Sequence, residues 1–94
     1  MKLPFNIDLK DKVVVVTGAG GVICSHLAKA IAACGAKVAL LDLNQAAAQA
    51  RADEIVAEGG VAKGFEANVL VKESLEACHA AVLAEYGKCD ILIN

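Results

Sequence analysis

The segment Thr17-Gly18-Ala19-Gly20-Gly21-Val22 lies between four consecutive valines, residues 13–16, and a stretch with helical apolar spacing, residues 23–34. This order predicts a strand, a glycine-rich turn and a helix. Glycines allow a tight turn without an obstructing Cβ atom, and the free N–H groups at the start of a helix attract an anion. The segment therefore indicates a phosphate-binding turn.

A carboxylate follows at the end of the next apolar run. Asp42 comes directly after Val38-Ala39-Leu40-Leu41 and lies 24 residues after Gly18. In dinucleotide-binding folds, an acid about 20 residues beyond the glycines binds the ribose. A glycine turn alone is equally compatible with a purely structural role. The valine run, the helical spacing and the terminal acid together predict a cofactor site.

Composition excludes several other classes of function. The chain has 94 residues, which allows one small domain, and a net charge of −2 with nine scattered Lys and Arg residues, which argues against nucleic-acid binding. No apolar run approaches the ~20 residues that span a bilayer, and the N-terminus does not resemble a signal peptide, so a cytoplasmic protein is expected. Four cysteines without CxxC spacing predict reduced thiols and no metal site.

The pattern of apolar runs predicts alternating strands and helices. The predicted strands are 13–17, 37–42, 61–67 and 90–94, and the predicted helices are 23–34, 45–58 and 72–86. Right-handed crossovers convert this order into a Rossmann-type α/β fold of three layers. We expect a parallel sheet of strand order 3-2-1-4 with helices on both faces.

Helical spacing also predicts which side chains face the sheet. The predicted inward residues are Ile23, Leu27, Ile31 and Cys34 in the first helix, Ala48, Ala52 and Ile55 in the second, and Leu75, Cys78, Val82 and Tyr86 in the third. Tyr86 is interpreted as a core or helix-end residue. Ser25 and His26 are expected to be exposed.

Three parts of the sequence resemble the N-terminal part of a short-chain dehydrogenase/reductase. The segment from Ile7 to Val13 is similar to the lead-in to that family's first strand, Thr17-Gly18 opens a turn similar to TGxxxGxG, and the last ten residues resemble the approach to NNAG. Val22 and Cys24 replace the second and third glycines of the turn. The Gly-Gly-Val arrangement resembles the members that act on sugar acids.

The resemblance implies an NAD-dependent oxidoreductase that transfers hydride between nicotinamide and an alcohol or ketone. It places the catalytic serine, tyrosine and lysine beyond the fourth strand, so residues 1–94 are interpreted as the N-terminal half of an NAD-binding domain, inactive alone. No catalytic residue is assigned. The candidate cofactor-binding residues are Gly18, Gly20, Gly21, Val22, Ile23, Asp42, Leu43, Asn68, Val69 and Asn94.

Several alternatives stay open at this stage. Asn68 and Val69 occupy the place where the family has Asp-Val beside adenine. Asn68 is therefore either an adenine contact or a cap of the third helix. The competing functions are a nucleotide-binding module without catalysis and an S-adenosylmethionine-dependent methyltransferase. An uncovered fourth strand, with Ile91, Leu92 and Ile93, predicts a homo-oligomer.

Overall fold

The computed structural model describes residues 4 and 6–94, and these contain four strands that alternate with three helices. The strands are β1 (Val13–Thr17), β2 (Lys37–Asp42), β3 (Val61–Glu66) and β4 (Ile91–Ile93), and the helices are α1 (Val22–Ala33), α2 (Gln45–Ala57) and α3 (Lys72–Tyr86). The predicted bounds of β1, β2 and α3 are confirmed. Both ends of α1 and β4, and the C-terminal ends of α2 and β3, differ from prediction by one residue.

The four strands form one parallel sheet in the order β3-β2-β1-β4, as predicted. Val14 of β1 lies opposite Val38 of β2 on one side and opposite Ile91 of β4 on the other. Asp90 anchors β4, because its carboxylate accepts from the Val13 N–H at 2.8 Å and its own N–H donates to the Val13 carbonyl at 2.9 Å. The chain therefore has the Rossmann-type topology.

Helices cover both faces of the sheet. Val14 and Val16 pack with α1 and α2 in one buried cluster, whereas Val15 packs with α3 in a second. A β1 strand made of valines suits this position, since β-branched side chains fill both faces of a central parallel strand. The three-layer arrangement confirms the fold class expected from the sequence.

The buried face of α1 differs from the prediction. Ile23 is 76% exposed and Leu27 is 43% exposed, while Ile31 and Cys34 are only half-buried. The residues that pack most closely are small ones: Ser25, Ala28 and Ala32. Small side chains let the helix axis approach the sheet, which turns the larger residues toward the flanks. The expectation of an exposed Ser25 is therefore also wrong, whereas His26 is exposed as expected.

The inward faces of the other two helices follow the prediction more closely. Ala48, Ala52 and Ile55 of α2 are buried, as are Cys78 and Val82 of α3. In α3, Leu75 is 39% exposed, so its predicted burial is wrong. This leucine lies near the N-terminal end of α3 and borders an apolar groove beside β4.

Tyr86 ends α3 as a half-buried residue, in agreement with its interpretation. Its hydroxyl lies 3.4 Å from the Val38 carbonyl oxygen, to which it donates. Burial, with a smaller contribution from the charge of Glu85, raises the pKa of Tyr86 to about 12. The fold therefore favours the neutral phenol over the phenolate.

The raised pKa of Tyr86 makes stability depend on pH in alkaline solution. Stability from the neutral phenol is complete below the unfolded pKa of about 10 and is lost as the pH rises toward 12. Because Tyr86 is the only tyrosine and tryptophan is absent, tyrosinate absorbance reports this group alone. We expect the free energy of unfolding to fall more steeply with pH in the unaltered chain than in Tyr86→Phe. Parallel profiles would contradict this assignment.

Candidate functional site

The carboxyl ends of β1, β2 and β3 meet at one edge of the sheet, where the connecting loops enclose a cleft of about 270 Å³. Ligands of open α/β sheets bind at this edge. The cleft is lined by Gly18, Leu41, Asp42, Leu43, Ala67, Asn68, Val69 and Leu70. Five of the ten predicted cofactor-binding residues thus lie around a single cavity.

The glycine-rich turn borders this cleft through Gly18. Gly18 has a φ of 63°, in the left-handed region that glycine adopts without strain. The Gly21 N–H donates to the Gly18 carbonyl at 3.1 Å, and the Ala19 N–H donates to the Leu41 carbonyl at 3.0 Å. Gly21 is one of the predicted cofactor-binding residues, but the turn itself uses its N–H as a donor. That part of the prediction is corrected.

Helix α1 begins directly after the turn, with Gly21 as its N-cap. No side chain caps this end, and the first turn carries no acidic residue. The first N–H groups of a helix lack intrahelical acceptors, so those of Val22 and Ile23 are suited to an anion. Val22 adopts the helical conformation although it replaces a family glycine, and Cys24 packs half-buried against the core.

Asp42 links β2 to the turn. Its Oδ2 accepts from the Gly20 N–H at 2.9 Å, and its Oδ1 accepts from the Asn44 N–H at 2.9 Å. A Cβ atom on Gly20 would lie 2.9 Å from Oδ2 and 3.0 Å from the Ala47 Cβ. Only glycine therefore fits at position 20 with the carboxylate in this place.

Asn68 lies at the far wall of the cleft, in the loop after β3. Its N–H donates to the Ser74 Oγ at 2.8 Å, and its Oδ1 accepts from the Leu70 N–H at 3.0 Å. The N-cap of α3 is Val71, which makes no side-chain capping bond. The helix-cap interpretation of Asn68 is therefore wrong, because its side chain closes a local turn over residues 68–70, before α3 begins at Lys72.

Asn94 lies beside the end of β1. The Thr17 hydroxyl is 3.2 Å from Asn94 Oδ1 and 3.4 Å from the Ile93 carbonyl oxygen, so Thr17 joins the end of β1 to the end of β4. This contact places Asn94 at the same sheet edge as the glycine turn. Asn94 does not line the cleft itself.

Sequence reasoning missed three lining residues, Leu41, Ala67 and Leu70. The register of the strands places the first two at the site, since Leu41 pairs with Thr17 and the Ala67 N–H donates to the Asp42 carbonyl at 3.0 Å. Leu70 is 91% exposed at the rim of the cleft. Its neighbour Val69 could be identified because it matches the Asp-Val of the family, whereas Leu70 matches no such pattern.

The described part of the site offers backbone donors, one carboxylate and an apolar cavity, but no cluster of metal-ligating side chains. Within residue 4 and residues 6–94, no group of three or more His, Cys, Asp or Glu side chains could hold a metal ion. None of the helices in the same residues is long and apolar enough to cross a membrane. The donors present fit the adenosine half of a dinucleotide: a carboxylate for hydroxyl groups, apolar walls for a base and helix N–H groups for phosphate.

Comparison with known proteins agrees with this geometry. A family model described as short chain dehydrogenase matches residues 12–94. The chain belongs to the short-chain dehydrogenase/reductase family. Membership disfavours the methyltransferase alternative, because the family model that matches describes dehydrogenases.

Individual relatives share the fold closely. The chain is 46% identical over its whole length to an uncharacterised oxidoreductase of Haemophilus influenzae and spans 33% of that protein. A solved structure with bound NAD, from a Haemophilus protein provisionally assigned as a D-mannonate oxidoreductase, is 45% identical with a TM-score of 0.89. That match covers 92% of this chain and 31% of the other. The chain thus spans about a third of the length of these relatives.

A further solved structure shows that the fold accepts either form of the cofactor. A metagenomic short-chain oxidoreductase in complex with NADP is 34% identical, with a TM-score of 0.83 over 89% of this chain and 38% of the other. Since one similar protein holds NAD and another NADP, the fold alone does not select between them. Selection must come from side chains at the ribose.

Proposed function

We propose that this chain binds the adenine-nucleotide half of NAD and serves an oxidoreductase that transfers hydride between nicotinamide and an alcohol or ketone. The observation that carries the proposal is the Asp42 carboxylate, which lies at the cleft while bonded to the glycine turn. A ribose acceptor and a pyrophosphate site are thereby adjacent. The NAD-bound relative supports the choice of ligand.

Each wall of the cleft has a role in this proposal. Asp42 accepts hydrogen bonds from the adenosine ribose, and Leu43 and Val69 provide apolar contacts for the base. Asn68 faces the polar edge of adenine. Gly18, Gly20 and Gly21 keep the turn free of side chains, so that the N–H groups of Val22 and Ile23 reach the pyrophosphate. Asn94 borders the nicotinamide side of the cofactor.

The charge of Asp42 selects NAD over NADP. A 2′-phosphate carries a charge of about −1.5 to −2 and would approach this carboxylate. At about 4 Å the repulsion per unit charge is about 1 kcal/mol in water and about 4 kcal/mol at an effective dielectric constant of 20. The next residues, Leu43, Asn44 and Gln45, supply no positive charge.

We therefore expect NAD to bind at least about tenfold more tightly than NADP, which corresponds to about 1.4 kcal/mol. Titration calorimetry with both cofactors measures the ratio. Asp42→Ala should reduce the ratio of the affinities for NAD and NADP, whereas Asp53→Ala on the outer side of α2 should leave this ratio unchanged. Equal affinities in the unaltered chain would refute the proposal.

A sugar acid is the proposed substrate class of the whole protein. The support is the resemblance of the turn to members such as the D-mannonate oxidoreductases, or fructuronate reductases, and the 45% identity to a structure assigned to that activity. The residues that carry catalysis in the family have no counterpart in these 94 residues, so the chain alone is expected to form no NADH from NAD and D-mannonate. Turnover by the purified chain would contradict this placement.

Self-association remains a prediction. In the sheet described here β4 pairs with β1 only, and Leu92 is 59% exposed beside the apolar groove between β4 and α3. An apolar edge strand offers unpaired backbone groups to another strand. We expect sedimentation velocity to show a dimer that Leu92→Lys dissociates and that the control Leu70→Lys does not. A monomer at high protein concentration would refute it.

A further inference from the structure

Asp42 makes more bonds than a ribose acceptor needs. Each carboxylate oxygen already accepts one backbone N–H, from Gly20 at 2.9 Å and from Asn44 at 2.9 Å. One bond reaches back across 22 positions to the glycine turn, and the other holds the chain that leads into α2. One side chain thereby connects β2, the phosphate-binding turn and the loop before α2.

We infer that Asp42 is also the positioning residue of the glycine-rich turn: its carboxylate holds that turn in the shape that receives the pyrophosphate. The inference rests on the proposed function and extends it to the phosphate half of the site. A carboxylate has about four acceptor positions, so two remain for ribose hydroxyls. Ribose binding and turn positioning are therefore compatible.

Two features make a carboxylate the side chain that fits. The two N–H groups approach different oxygens, and an asparagine has only one acceptor oxygen, so Asp42→Asn loses one of the two bonds. The carboxylate also lies close to the turn: a Cβ atom on Gly20 would lie 2.9 Å from Asp42 Oδ2 and 3.0 Å from the Ala47 Cβ atom. Gly20→Ala should displace the carboxylate while its charge is retained.

The first arm of the test needs no ligand. We expect amide hydrogen exchange of Gly20, measured by NMR, to become about tenfold faster in Asp42→Ala, which removes both acceptor oxygens and with them the charge-assisted bond to this N–H. Asp53→Asn removes the same charge from an exposed site on α2 and should leave the exchange unchanged. Unchanged exchange of the Gly20 amide in Asp42→Ala would overturn the inference.

The second arm compares adenosine with ADP, which share the ribose but differ in the pyrophosphate. If Asp42 also positions the turn, Asp42→Asn and Gly20→Ala weaken ADP several-fold more than adenosine. Equal losses for both ligands would show a ribose acceptor only and would overturn the inference. Absence of ADP binding to the unaltered chain would instead refute the proposed function, and the exchange arm would still test the positioning of the turn.

Discussion

Replacing Gly64 by alanine is expected to lower the free energy of unfolding by about 3 kcal/mol, the upper end for an overpacked site. Gly64 is buried in β3, and a Cβ atom there would lie 2.7 Å from the Gln49 Cα and 2.8 Å from the Ala48 carbonyl carbon. These are backbone atoms of α2, so no rotamer change relieves the collision. The helix must move away from the sheet.

Urea denaturation measures this effect, with Gly21→Ala as the matched control. A Cβ atom on Gly21 meets only the Gly18 carbonyl oxygen, at 3.4 Å, and Gly21 has a φ of −78° that alanine adopts freely. We expect the control to lose at most about 1 kcal/mol, because glycine is a modestly better N-cap than alanine. Equal stability of Gly64→Ala and the unaltered chain would show that α2 does not approach β3 this closely.

Replacing Gly18 by valine is expected to abolish measurable dinucleotide binding while most of the fold survives. The Gly18 φ of 63° is unfavourable for a β-branched residue, by about 1 to 3 kcal/mol. Since a Cβ atom would project into open space at the cleft, the variant escapes strain by changing the turn and not by unfolding. A loss of about 3 kcal/mol corresponds to about 150-fold in affinity.

Gly87→Val is the control for this experiment. Gly87 ends α3 with a φ of 80°, has open space where a Cβ atom would project and does not line the cleft. It should lose stability through a similar strain and retain binding of NAD. Normal NAD binding by Gly18→Val would show that the turn does not receive the cofactor.

The sequence predicted the topology well because its local signals agree. The valine run of β1 had no competing interpretation, and Gly35 and Gly87, both with positive φ, lie at the C-terminal ends of α1 and α3. The predicted buried face of α1 was wrong because the prediction used only the spacing of large apolar residues. Instead, Ala28 and Ala32 pack against the sheet, and such small side chains do not stand out in the pattern of large apolar residues.

Only the site residues that have a characteristic type and spacing could be predicted from the sequence. Asp42 and the glycines were identified from spacing, and the structure brings them together. The bond between Asp42 and Gly20 could not be read from the chain, because it depends on the path of the turn in three dimensions. The same holds for Ser74, which accepts from the Asn68 N–H and so shapes the loop at the cleft.

The most direct measurement is an NMR titration of the isotope-labelled chain with NAD. We predict saturable shifts of the amide signals of Gly18, Leu43, Asn68 and Val69, which line the cleft, and of Gly20, whose N–H donates to Asp42. Gly59 and Gly60, which line a separate cavity between α1 and α2, should not respond. Shifts confined to that second cavity, or no saturable shift up to millimolar NAD, would contradict the claim that this sheet edge binds the dinucleotide.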